Sequence, residues 1–211
     1  MAKKLIKGLY AITPNELDTA ELIRKTRLAL QGDATVLQYR NKLANADLQL
    51  AQATALRQLT REFASTFIVN DNVQLAAQVD ADGVHLGGED GSIEMARQLL
   101  GAEKIIGVSC YNRAPLALAK NSQLIDYIAF GAFFSSSTKP DAAQAELDLL
   151  HWAKQNISIP VVAIGGITLQ NAPLLINAGA DALAVISAVF DAEDIQVTAQ
   201  QFSTLFKQGL A

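Results

Sequence analysis

Apolar residues in this chain gather in short β-branched runs. Between the runs they recur every three or four positions, the alternation expected of strands and amphipathic helices. Gly8 to Thr13 reads as a first strand, and Pro14 and Asn15 lead into a helix to about Leu30, with Leu17, Leu22, Ile23 and Leu28 at helical spacing and Gly32 at its end. Val36 to Arg40 is a second strand, followed by a helix whose apolar stripe is Leu48, Ala51, Ala55, Leu59 and Phe63. Phe67 to Val69 and Gly83 to Gly87 are the third and fourth strands, with a short helix over Val73 to Val79 between them. Ile93 to Leu100 is the next helix, C-capped by Gly101. Ile105 to Ser109 and Asp126 to Phe130 supply strands five and six; Pro115 starts the helix between them, and Leu147 to Trp152 belongs to the helix that follows.

The last third of the chain decides the architecture. Pro160 to Ile164 and Leu183 to Val189 are apolar runs too short for helices, and the segment between them carries Ala172, Leu175 and Ile176 on one side. Strand, helix and strand in that order imply a parallel pair. Asp194 to Lys207 then closes the chain as a helix. Eight such alternations in about 200 residues predict an α/β fold, a (β/α)8 TIM barrel spanning residues 1–211 as one domain. A doubly wound open sheet is the competing architecture, but it would want a glycine-rich dinucleotide turn after the first strand, where this chain has Thr13-Pro14. In a barrel, Gly165-Gly166 and Ile186-Ser187 fall at the carboxyl ends of strands seven and eight, a common place for phosphate because glycine lets backbone N–H groups approach oxygen closely. The same glycines could equally serve only the turns.

Composition narrows the chemistry. A net charge of −4 and 6% aromatic residues argue against a nucleic-acid binder. Cys110 is the one cysteine, which excludes an internal disulfide and a cysteine-built metal cluster, and His85 and His151 are too far apart for a helical metal pair. Neither a signal-peptide-like apolar run nor a membrane-spanning length of apolar residues occurs, so a cytoplasmic location with no membrane partner is expected. Oligomeric state is open, and a homo-oligomer is compatible with the sequence.

Gln38, Arg40 and Lys42 stand at spacing two, which puts them on one face of the second strand with Leu37 and Tyr39 on the other. Two cations turned into a closed barrel would need an anion to meet them; a solvated strand face is the duller alternative. Asn70-Asp71 follows strand three and Glu89-Asp90 follows strand four, so carboxylates at one end of neighbouring strands could share Mg²⁺, although Asp71 and Asp90 could each be a helix N-cap. Ser109, Ser136, Thr138 and Lys139 add hydroxyls and a cation at the same rim, where turn formation is the alternative role. His85, between Val84 and Leu86, is expected to pack outward against helices, Cys110 to be a small buried or half-buried residue, and His151 to lie on a helix surface or packing seam.

Gln38-Tyr-Arg-Asn-Lys42, Val69-Asn-Asp71, Asp82 to Asp90, Gly107-Val-Ser109, Asp126 to Gly131, Thr138-Lys139 and Ala163 to Ile167 together closely resemble the thiamine-phosphate synthase family, in order over nearly the whole chain. The resemblance implies a barrel that joins hydroxymethylpyrimidine diphosphate to thiazole phosphate, or its carboxylated form, releasing diphosphate with Mg²⁺ as cofactor. By position, Gln38, Arg40, Lys42 and Asn70 would hold the pyrimidine diphosphate and Asp71 and Asp90 the metal. Ser109 and Lys139 would bind diphosphate, Ser136 and Thr138 the thiazole phosphate, and Gly166, Ile186 and Ser187 its phosphate end. Arg40, Lys42, Ser109 and Lys139 would carry the catalytic load. Three departures stand out: Gly131-Ala132 where the family usually shows Gly-Pro, Ser136 where it usually shows Thr, and Cys110-Tyr111-Asn112 where many relatives show Thr-His, which argues against a catalytic histidine there. A thiazole tautomerase-like protein and a non-catalytic phosphometabolite-binding barrel are the alternatives, with a phosphosugar isomerase third.

Overall fold

The computed structural model of the chain describes residues 5–87, 92–114, 116–117, 123–135 and 144–208. Eight parallel strands close into a barrel: β1 (Gly8–Ile12), β2 (Val36–Tyr39), β3 (Thr66–Asn70), β4 (Gly83–Leu86), β5 (Ile105–Tyr111), β6 (Tyr127–Phe130), β7 (Val161–Ile164) and β8 (Ala182–Val185). Each pairs with its sequence neighbour, and β8 pairs back to β1 through Leu9–Leu183 and Tyr10–Ala184. Around them lie α1 (Thr19–Gln31), α2 (Ala46–Glu62), α3 (Val73–Gln78), α4 (Ile93–Leu100), α5 (Asp148–Asn156), α6 (Ala172–Asn177), α7 (Ser187–Phe190) and α8 (Ile195–Gln208). None of the described helices is long and apolar enough to cross a membrane.

Period-two alternation sorts every strand into two faces, and the two faces are two separate cores. Leu9, Leu37, Phe67, Val84, Ile106, Ile128, Ala163 and Leu183 face the helices in the larger core. Tyr10, Val36, Ile68, Ile105, Tyr127, Val162 and Ala182 fill the barrel. The foot of the barrel is tied by a repeated device. Asp82, Asp126 and Asp181 sit just before β4, β6 and β8, and each carboxylate accepts a backbone N–H of the strand before: Phe67 at 2.8 Å, Ile106 at 2.8 Å and Val161 at 2.9 Å. Arg57, Arg97 and Lys154 supply the matching positive charges.

Two expectations about these elements need correction. The final apolar run does not stay extended to Val189: β8 ends at Val185, and Ser187–Phe190 is a short helix. Val189 and Phe190 are buried from that helix, so the run is apolar because both states are buried there. The inner face of α2 is also rotated from the expected stripe. Gln52, Ala53, Leu56, Arg57 and Leu59 are buried while Ala51 is exposed. The rotation follows from polar partners: Gln52 accepts from Tyr39 at 2.9 Å and donates to the Glu16 carbonyl at 2.9 Å, and Arg57 reaches Asp82 at 3.0 Å.

Candidate active site

The carboxyl ends of β2 and β3 open on a pocket of about 220 Å³ lined by Tyr39, Arg40, Lys42, Asn70 and Asp71 among others. Local hydrogen bonds hold its walls. The buried Thr13 hydroxyl donates to the Arg40 carbonyl at 3.0 Å and accepts the Arg40 N–H at 2.9 Å, fixing the backbone where β2 ends. Buried Asn41 donates to the Glu16 carbonyl at 2.6 Å and accepts from Leu43 and Ala44, which shapes the turn into α2. Thr13 and Asn41 were not singled out in the sequence; only the register of β1 on β2 brings Thr13 to the turn after Gln38.

Gln38 lies inside the barrel, 3% exposed. Arg40 is half-buried and lines the pocket beyond the strand end. Burial pulls its guanidinium below the ordinary arginine value, and only the charge of Asp71 opposes that shift. No carboxylate among the described residues forms an ion pair with Arg40; among them, Asp71 is the charge that acts on this half-buried cation at the pocket. Lys42 is not the buried cation that strict alternation implied. It is exposed, because the chain leaves β2 after Tyr39, and its backbone N–H is held by Asn15 at 2.9 Å.

Asp71 has the left-handed φ of 58° that Asp and Asn tolerate better than other side chains. The helix that follows is N-capped by Asn72, which accepts the Leu75 N–H at 2.9 Å. Asp71 is therefore free of capping. Its carboxylate accepts Asn70 Nδ2 at 2.6 Å and the Gly87 N–H at 3.3 Å, which ties the ends of β3 and β4 together. Asp90, Ser136, Thr138 and Lys139 lie outside the described residues. Among the described residues no three His, Cys, Asp or Glu side chains gather into a metal cluster. The Asp71 carboxylate beside a basic pocket suits Mg²⁺, which keeps water and phosphate oxygens in its shell.

On the other side of the mouth, Gly165 and Gly166 have φ of 101° and 60°. A Cβ at Gly166 would collide with the carbonyl oxygens of Phe134 and Ser135, so only glycine lets the loop after β6 lie against the loop after β7. Asn171 Nδ2 donates to the Gly166 carbonyl at 3.0 Å. Ile186 is the last residue before α7, whose first turn begins with Ser187.

Sequence reasoning also missed what lies beneath the mouth. His85 points into the barrel, contrary to expectation. It contacts Ser109 Oγ through Nε2 at 2.9 Å and the Tyr127 hydroxyl through Nδ1 at 2.9 Å. In β4 it is Val84 and Leu86 that face the helices. Tyr127 meets the Tyr10 hydroxyl at 2.8 Å, and Tyr10 accepts Gln38 Nε2 at 2.8 Å. Burial drives the His85 imidazole down to about 4, so it is neutral at neutral pH, and burial raises both phenols far above their ordinary value. Cys110 is buried facing the helices, and His151 is exposed on α5, as read from the sequence.

A family model for thiamine monophosphate synthase matches residues 9–189. The chain belongs to the thiamine monophosphate synthase family. It is 54% identical to a thiamine-phosphate synthase of Methylobacillus flagellatus over 201 residues, covering 95% of this chain and 96% of that one. It is 50% identical to a thiamine-phosphate synthase of Nitrosospira multiformis over 206 residues, covering 98% and 88% respectively. The solved thiamine phosphate pyrophosphorylase of Pyrococcus furiosus superposes with a TM-score of 0.88 at 38% identity, over 99% of this chain and 98% of that one. The family's chemistry is a transferase reaction, and the tautomerase and sensor alternatives are not favoured by these relatives.

Proposed function

We propose that the barrel mouth synthesises thiamine phosphate by letting diphosphate leave the hydroxymethylpyrimidine before the thiazole nitrogen adds. The half-buried guanidinium of Arg40, which makes no ion pair with a described carboxylate, carries this reading, because a diphosphate entering the pocket would meet it. Gln38 and Asn70 would hold the pyrimidine diphosphate, with Arg40, Lys42, Ser109 and Lys139 on the diphosphate. Ser136 and Thr138 would bind the thiazole phosphate, and Gly166, Ile186 and Ser187 its terminal phosphate group.

The ring amino group can push electrons toward the methylene carbon as its bond to the diphosphate oxygen breaks. The bond from that carbon to the thiazole nitrogen then forms. No protein nucleophile is needed, which agrees with a site that offers cations and hydroxyls. Arg40 and Lys42 neutralise charge that grows on the leaving oxygens, and the barrel orients the two rings for addition. Asp71, with Asp90, would hold Mg²⁺, which when bound supplies further positive charge against the diphosphate. A cytoplasmic location fits this biosynthetic role and the single buried cysteine.

The test is thiamine phosphate formation and diphosphate release from the two substrates, measured with Mg²⁺ and then in excess EDTA. Release that needs both substrates, and that falls at least about a hundredfold on chelation, is the expected result. Full turnover in EDTA would remove the metal from the account, and absence of turnover by the folded protein would remove the synthase reading.

A further inference from the structure

Five side chains from five strands form one unbroken chain of hydrogen bonds through the barrel. Gln38 on β2 leads to Tyr10 on β1, then to Tyr127 on β6, His85 on β4 and Ser109 on β5. The rings are held by contact as well. Tyr10 and Tyr127 meet edge to face at 6.1 Å, and His85 stacks on Tyr127 at 5.5 Å with 25° between planes.

With the Gln38 amide placed so that Nε2 faces Tyr10, the donors allow one direction; the opposite amide orientation would reverse every step. Gln38 gives an amide proton to the Tyr10 oxygen, so the Tyr10 proton is left for Tyr127. Tyr127 in turn has one proton, and the remaining acceptor in reach is His85 Nδ1. A neutral imidazole that accepts at Nδ1 carries its proton on Nε2 and donates it to Ser109 Oγ. With Nε2 of Gln38 facing it, the reverse direction would strand the Tyr10 proton without an acceptor in the buried centre, where an unmade hydrogen bond is expensive. Two groups are left over at the ends: the Gln38 side-chain oxygen Oε1, which accepts nothing among the described residues, and the Ser109 hydroxyl proton.

We propose that Tyr10, Tyr127 and His85 are positioning residues that form a one-way relay, presenting Gln38 as an acceptor and Ser109 as a donor. This rests on the reading that Gln38 and Ser109 face the pyrimidine diphosphate. The polarity matches that substrate at both ends: its ring amino group donates, and its diphosphate oxygens accept. Because charge builds on the diphosphate as it leaves, a fixed Ser109 donor acts more on turnover than on ground-state binding.

The full chain labelled with ¹⁵N in histidine tests this without substrate. There are two histidines, and a His151→Gln variant assigns the signals. The expected result at neutral pH is a neutral His85 with its proton on Nε2; a proton on Nδ1 would overturn the relay. Tyr127→Phe keeps the ring and breaks the chain. It should let the second tautomer appear, and lower kcat about tenfold while KM for the pyrimidine diphosphate stays within about twofold. A folded variant with parental tautomer and kcat would also overturn the proposal. The tautomer measurement stands if that variant does not fold, and a failure of the synthase reading would show separately, as absent turnover by the parent chain.

Discussion

Asp71→Asn is expected to lower kcat by about a hundredfold or more with little change in stability. The separation of the two effects follows from what the carboxylate does and does not hold. It does not cap α3, since Asn72 has that task. Its left-handed backbone, φ 58°, suits asparagine as well as aspartate. An asparagine oxygen can still accept either Asn70 Nδ2 or the Gly87 N–H. What is lost is the negative charge, the property a hard cation requires. Thermal unfolding and saturated turnover at high Mg²⁺, measured side by side, check it. A folded variant within about threefold of the parent kcat would take Asp71 out of the metal site.

Gly107→Ala should destabilise the barrel by about 3 kcal/mol or more, the largest effect of one added methyl group expected anywhere in the relay. In register, Gly107 lies between His85 on β4 and Tyr127 on β6, all three on the inward face. The two rings stack because the residue between them has no side chain. A Cβ at Gly107 would overlap the ring carbons and hydroxyl of Tyr127, which is fully buried and has nowhere to retreat. Strain of this kind is relieved by the partner, so Gly107→Ala combined with Tyr127→Ala should recover much of the loss. Denaturant unfolding of both variants reads the effect. Additive losses in the double variant would show that the methyl group collides with something else.

The barrel was legible because closed parallel strands leave a strong record: short β-branched runs with a helical period between them. Strand parity put Gln38 on the face opposite Leu37 and Tyr39, and that face lies inside the barrel. The same reasoning failed for His85, and the reason is physical. A barrel strand is buried on both faces, so Val84 and Leu86 do not mark the solvent side and His85 does not mark the polar one. Only register against Gly107 and Tyr127 shows that a histidine has partners inside. Lys42 failed differently, because alternation was extended past the point where the chain turns away after Tyr39. The Asp82, Asp126 and Asp181 ties were likewise invisible, since each joins a side chain to a strand roughly 15 to 20 residues earlier and has no local signature.

The ends of β2, β3 and β5 are proposed to make one metal–diphosphate site. A crystal of the protein soaked with Mn²⁺ and inorganic diphosphate locates that site directly, because manganese reports its own position by anomalous scattering. The expected result is manganese bonded to the Asp71 carboxylate, with diphosphate oxygens on Arg40 and the Ser109 hydroxyl. Manganese and diphosphate bound together elsewhere, with Asp71 and Arg40 bare, would contradict it.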